Sequence, residues 1–136
     1  LYINEHLYHY RKDEKSITGS YRPKFIQQWG NLFSIMEGII EEKNLGEEYK
    51  KALLNRIALS ITAVGLNEIR NPSNKAFGHI KVLKSYLKQE KYHNAVSKLN
   101  TKNLPLPWKL LLISCKLKCA TAVYIAIAMI EKLRSR

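Results

Sequence analysis

Apolar residues recur at steps of three and four through most of the chain. Phe25, Trp29, Leu32, Phe33, Met36, Ile39 and Ile40 form one such series, the signature of an amphipathic helix. Pro23 suits the approach to its first turn. Gly46 is placed to end it in a left-handed cap. A second helix is expected from Glu47 to Ile69, with two acids at its positive end and Leu53, Ile57, Ile61 and Val64 turned inward. Pro72 stops it, and Ser73 or Asn74 can cap a third helix whose inner stripe is Ala76, Ile80, Leu83 and Leu87. A short fourth helix buries Tyr92, Val96 and Leu99. After the break at "NLPLPW", an apolar run extends from Leu110 to Ile130. Residues 1–11 alternate weakly and suit a short extended segment. The expected fold is therefore mainly α, a bundle of about four to six helices with a short extended segment at its N-terminal edge. Its division is residues 1–22, strand and loop, and residues 23–136, the helical domain.

The apolar run reaches the length of a membrane span, about 20 residues. Lys116 and Lys118 near its middle would each cost about 3 kcal/mol at a helix centre, which argues against a span. Two readings stay open. It is a core helix, or it lies in a membrane interface with Lys109, Lys116, Lys118, Lys132, Arg134 and Arg136 reaching anionic headgroups. The i,i+4 pair Cys115 and Cys119 shares a helical face, a geometry unsuited to a disulfide, so both are expected as buried free thiols.

Charge sharpens the question of partners. The 136 residues carry a formal net charge of +12, which favours polyanions. It is uneven: Glu37, Glu41, Glu42, Glu47 and Glu48 cluster, whereas residues 98–136 hold eight basic residues against Glu131 alone. That most basic region is also the most apolar, which favours lipid over nucleic acid. The aromatic set Phe25, Trp29, Phe33 and Tyr49 has the spacing of a buried stripe rather than of a sugar platform. No motif supplies a nucleophile with its base or a phosphate-binding glycine loop. His6 and His9 alone are too few for a metal site, and surface or structural roles fit them better. Arg11, at the end of the extended segment, is shaped either to grip a diphosphate or to pair with Asp13 or Glu14 on the surface.

The stretch "INEHLYHYRKDEKSITGS" resembles the segment that closes the catalytic domain of bacterial family 2 glycosyltransferases. Leu7, Tyr8, Tyr10, Arg11, Ser16 and Ile17 carry the match. His6 stands where that family often has proline, and Asp13 where many members carry His or Arg. The resemblance implies the helical C-terminal part of an enzyme that transfers sugar from a nucleotide-sugar donor to a glycan or lipid-linked acceptor in capsule, lipopolysaccharide or exopolysaccharide synthesis. It further implies an upstream catalytic domain holding Mg or Mn, Arg11 and Tyr10 near the donor diphosphate, and Asp13 and Ser16 in an acceptor loop. No Asp-x-Asp motif occurs in the 136 residues, so no catalytic residue, metal or cofactor is expected in this portion, which alone should be inactive. The expected location is cytoplasmic, peripheral at the inner face of the membrane, with self-association through exposed faces as a further expectation. The competing reading is a basic helical module for nucleic acid or protein interaction.

Overall fold

The computed structural model describes residues 20–102 and 104–134. Among them it forms six helices and no strand: α1 (Phe25–Glu42), α2 (Glu47–Ile69), α3 (Ala76–Lys88), α4 (Glu90–Lys98), α5 (Leu106–Lys116) and α6 (Ala120–Arg134). The mainly α bundle expected from periodicity is what forms. The extended segment at residues 1–11 lies outside the described residues.

Helix α2 is the central column, against which α1, α3, α4 and α6 all pack, while α5 closes the bundle against α4 and α6. Its apolar residues surround much of its circumference, and Ile57, Ala58, Ile61 and Val64 are buried together with Leu53. Gly65 explains how α6 comes so close, because the Ile127 side chain occupies the space a Cβ there would take. At the same end of α2, Asn67 clamps the chain entering α1: the Arg22 amide donates to Asn67 Oδ1 (2.9 Å), and Asn67 Nδ2 donates to the Arg22 carbonyl (3.1 Å).

Several expected details change. The left-handed position after α1 is taken by Asn44 (φ 46°), with Gly46 instead the extended residue that opens α2. The amides of Leu45 and Asn44 reach back to the carbonyls of Ile40 and Glu41, a Schellman closure. Asn tolerates this conformation through its short polar side chain. Helix α3 begins after Lys75, without a side-chain cap. Asn74 is drawn away to a buried carboxylate, and Ala76 is exposed while Ile80 is half-buried.

The largest correction concerns the apolar run, which is two helices. A second Schellman closure ends α5, with Lys118 left-handed (φ 54°) and the Cys119 amide donating to the Ser114 carbonyl at 2.9 Å. Cys115 and Cys119 therefore do not share a helical face: Cys115 is buried, Cys119 exposed, and both are free. Folding the run back lets Leu111, Leu112, Val123 and Ile127 meet in the core. No helix among the described residues is long and apolar enough to cross a membrane.

The aromatic stripe of α1 is partly core. Trp29 lies between Phe25 and Phe33 at ring separations of 5.9 and 5.2 Å, with the Arg56 guanidinium 5.6 Å from its ring. Tyr49 does not belong to that stripe and is half exposed. Leu32 and Ile39 also stay largely exposed, because α1 packs chiefly on α2 and one contact face cannot cover the full width of its apolar arc.

Candidate functional site

Two features of α3 stand out, one buried and one exposed. The buried one is a polar clasp at the α2–α3 turn. Glu68, whose side chain is only 4% exposed, ends α2 within reach of the turn that follows it. Its Oε1 accepts from Asn74 Nδ2 at 2.7 Å, meets His79 Nδ1 at 3.2 Å, and has a weaker contact with Asn71 Nδ2 at 3.4 Å. Asn71 Oδ1 in turn accepts the Ser73 amide at 3.1 Å. The His79 ring stacks on Tyr124 of α6 at 5.9 Å and 16°. A carboxylate facing Nδ1 holds a proton there and leaves Nε2 as the second ring nitrogen. Beside this clasp, Arg70 forms a two-pronged pair with Glu131, Nε to Oε1 at 2.8 Å and Nη2 to Oε2 at 3.0 Å. These contacts tie three helices together at one end of the bundle.

The exposed feature is a stripe along the opposite side of α3. Phe77, Lys81, Lys84 and Lys88 recur at steps of four, three and four, which puts them on one helical face. Phe77 is 82% exposed. The three lysines are exposed and, among the described residues, form no ion pair. No acidic residue lies between Glu68 and Glu90, so nothing in this segment neutralises the stripe. At about 1.5 Å rise per residue, the three ammonium groups span about 10 Å of helix axis.

The residues singled out from sequence are distributed differently. Tyr10, Arg11, Asp13 and Ser16, together with His6 and His9, lie outside the described residues, as do Arg136 and the side chain of Arg134. Of the basic C-terminal set, Lys109 and Lys116 are half-buried on α5, and Lys116 Nζ donates to the Leu99 carbonyl at 3.2 Å. Lys118 is exposed in the α5–α6 turn, and Lys132 is exposed in the last turn of α6. The helix break separates these groups onto different elements. No cluster of three or more metal-ligating side chains occurs among the described residues.

Comparison with protein-family models, with curated proteins and with solved structures found no match. Function therefore rests on the geometry. Sequence reasoning alone misses both features of α3. The stripe is legible in principle, since the exposed positions of a helix whose inner face is Leu83 and Leu87 are those about half a turn away. The clasp is not, because the contacts from Glu68 to Asn74 and His79 depend on how the "NPSN" turn closes.

Proposed function

We propose that the helical domain binds single-stranded nucleic acid through the exposed stripe of α3. The observation that carries this reading is a face of α3 with no acid of its own, on which three lysines that form no ion pair among the described residues stand in line behind one solvent-exposed aromatic ring. Lysines in a row track a phosphate backbone, and a bare ring offers a stacking surface that accepts any base. The clasp beneath supports the same reading, because it anchors the first turn of α3 and so holds Phe77 in place. The apolar run, whose length and charge favour lipid when read as one helix, is instead two helices that place Leu111, Leu112, Val123 and Ile127 in the core.

The test is fluorescence anisotropy with a labelled 20-nucleotide RNA and its DNA equivalent. Phe77→Ala should weaken binding about fivefold or more, as expected for loss of one stacked base. Lys81, Lys84 and Lys88 changed together to Gln should weaken it further. Lys43, Lys50 and Lys51 changed together to Gln, the same change in charge elsewhere on the surface, should have a much smaller effect. Equal losses in the two triple variants would reduce the interaction to net charge and remove the site.

A second proposal, the tail of a nucleotide-sugar glycosyltransferase, is supported by the motif from Leu7 to Ile17. Release of nucleoside diphosphate by the full-length protein, with Arg11→Ala beside it, tests that reading separately.

A further inference from the structure

Where α1 ends and α2 begins, the two helices leave an apolar groove of about 430 Å³ between them. Ile40 and Leu53, both buried, form its floor, and Ile39 and Tyr49 stand half exposed along its sides. Leu45, in the turn that joins the helices, marks one end. On α2 the lining positions Tyr49, Leu53 and Arg56 fall at i, i+4 and i+7, one helical face about 10 Å long at 1.5 Å rise per residue. Small-molecule sites occupy about 300–1,000 Å³ and are mainly apolar, with a few polar groups that fix the ligand's orientation.

Here the orienting group is a cation. Arg56 is the single charged residue among those lining the groove, and it forms no ion pair among the described residues. Its guanidinium lies 5.6 Å from the centre of the Trp29 ring. The attraction to the ring uses none of its N–H groups in ordinary hydrogen bonds, so the fork that suits a carboxylate stays open. Trp29 is itself held between Phe25 and Phe33, which restricts the guanidinium before any ligand arrives. The acids of this region lie away from it: Glu41 and Glu48 flank the Leu45 end and do not line the groove. Glu48 and Arg56 are eight positions apart on α2, about 12 Å along the axis, beyond the Debye length of about 10 Å at 0.1 M ionic strength. An anion therefore seats with its charge at Arg56 and its apolar part toward Leu45.

From this lining we infer that the α1–α2 groove binds a medium-chain aliphatic carboxylate, the carboxylate paired with Arg56 and the tail laid over Leu53 and Ile40. A zigzag hydrocarbon advances about 1.25 Å per carbon–carbon bond of about 1.5 Å, so a groove of about 10 Å takes roughly nine carbons, close to decanoate. The inference is independent of the α3 reading, which uses a different helix.

The experiment is isothermal titration calorimetry of the whole chain with decanoate, kept below the concentration at which it forms micelles. Saturable binding of one decanoate per chain is expected. Arg56→Met keeps an apolar stem against Trp29 but removes the charge, and should weaken binding about tenfold, as for loss of a charge-assisted pair. Ala52→Phe, at an exposed position lining the groove, fills it with a ring and should abolish binding. Circular dichroism confirms that each variant is folded. Decanol, with the same tail and no charge, should bind about as weakly as decanoate binds Arg56→Met, and decylammonium should not bind. Lys81, Lys84 and Lys88 changed together to Gln should leave decanoate affinity unchanged, because the charge that is read is at Arg56. A wild type that shows no saturable binding of decanoate overturns the inference. So does Arg56→Met binding as tightly as the wild type, or decanol binding as tightly as decanoate, since either makes the groove a plain apolar surface. Undiminished binding by Ala52→Phe places the ligand elsewhere and overturns it as well.

Discussion

Replacing Gly65 by alanine tests the central packing contact of the bundle. In an exposed helix this change stabilises by about 1 kcal/mol, because glycine loses more backbone freedom on folding. At Gly65 the added methyl would overlap Ile127 Cδ1 and crowd Cγ1 and Cγ2 of the same side chain at 3.2 Å. Ile127 is fully buried and has little room to move away. Overpacking of this kind costs about 1–3 kcal/mol, so Gly65→Ala should be destabilising by about 1 kcal/mol net. Around Gly30 and Gly38 in α1, apart from the adjoining residues and the helix's own backbone, no atom of the described residues lies within 4 Å of the place a methyl would take, so alanine there should stabilise by about 0.5–1 kcal/mol. For a chain of this size each kcal/mol corresponds to roughly 3–5 °C in Tm. Gly65→Ala should therefore melt several degrees below the wild type and Gly38→Ala several degrees above it. Ile127→Val supplies the decisive arm. Alone it should cost about 0.5–1.5 kcal/mol, but beside Gly65→Ala it removes the overlapping Cδ1 and should cost nothing or stabilise. Thermal and urea unfolding of the four-member cycle would give a coupling of about 1 kcal/mol. Coupling near zero, or a Gly65→Ala as stable as Gly38→Ala, would refute the close approach of α2 and α6.

Other outcomes follow from the same structure. Burial pushes the Cys115 thiol up to about 11 from its ordinary value near 9, with a hydrogen bond from Tyr92 opposing it. An acid whose folded pKa is raised favours the fold below its unfolded value, and that stability is lost as pH rises from about 9 to 11. Urea titrations should show the decline, smaller in Cys115→Ala, with Tyr92 adding to it because burial also raises its phenol. In native protein a thiol reagent should modify exposed Cys119 quickly and Cys115 only after unfolding. Glu68→Ala leaves His79, Asn74 and Asn71 without their shared acceptor and should cost about 2–4 kcal/mol, read by urea unfolding. Lys118→Gly should raise Tm, since glycine adopts the left-handed conformation at φ 54° without the penalty of about 1 kcal/mol that a side chain carries.

How much of the fold is legible in the sequence follows from which interactions are local. The bounds of α2 and its inner face Leu53, Ile57, Ile61 and Val64 are readable because an amphipathic period, two N-terminal acids and Pro72 all agree. The break at Lys118 is not, since "CKLKC" contains neither glycine nor proline and the turn is held by backbone bonds to Cys115 and Ser114. Gly46 misleads for a similar reason: it suits either end of a loop, and Asn44 can take the left-handed position first. Glu68 carries no signal of burial in the sequence. Its burial depends on Asn71, Asn74 and His79 converging from a turn and a second helix, a tertiary arrangement with no periodic signal. The α3 stripe is masked by the bulk charge, which points to the C-terminal region because that region is poorest in acids.

The salt dependence of RNA binding tests the α3 site itself. For single strands the slope of log K against log salt is about −0.7 per phosphate neutralised. If Lys81, Lys84 and Lys88 each contact one phosphate, their joint replacement by Gln should make the slope shallower by about 2, with Lys43, Lys50 and Lys51 replacement leaving it nearly unchanged. Identical slopes for wild type and the α3 variant would rule the site out, whatever the absolute affinity.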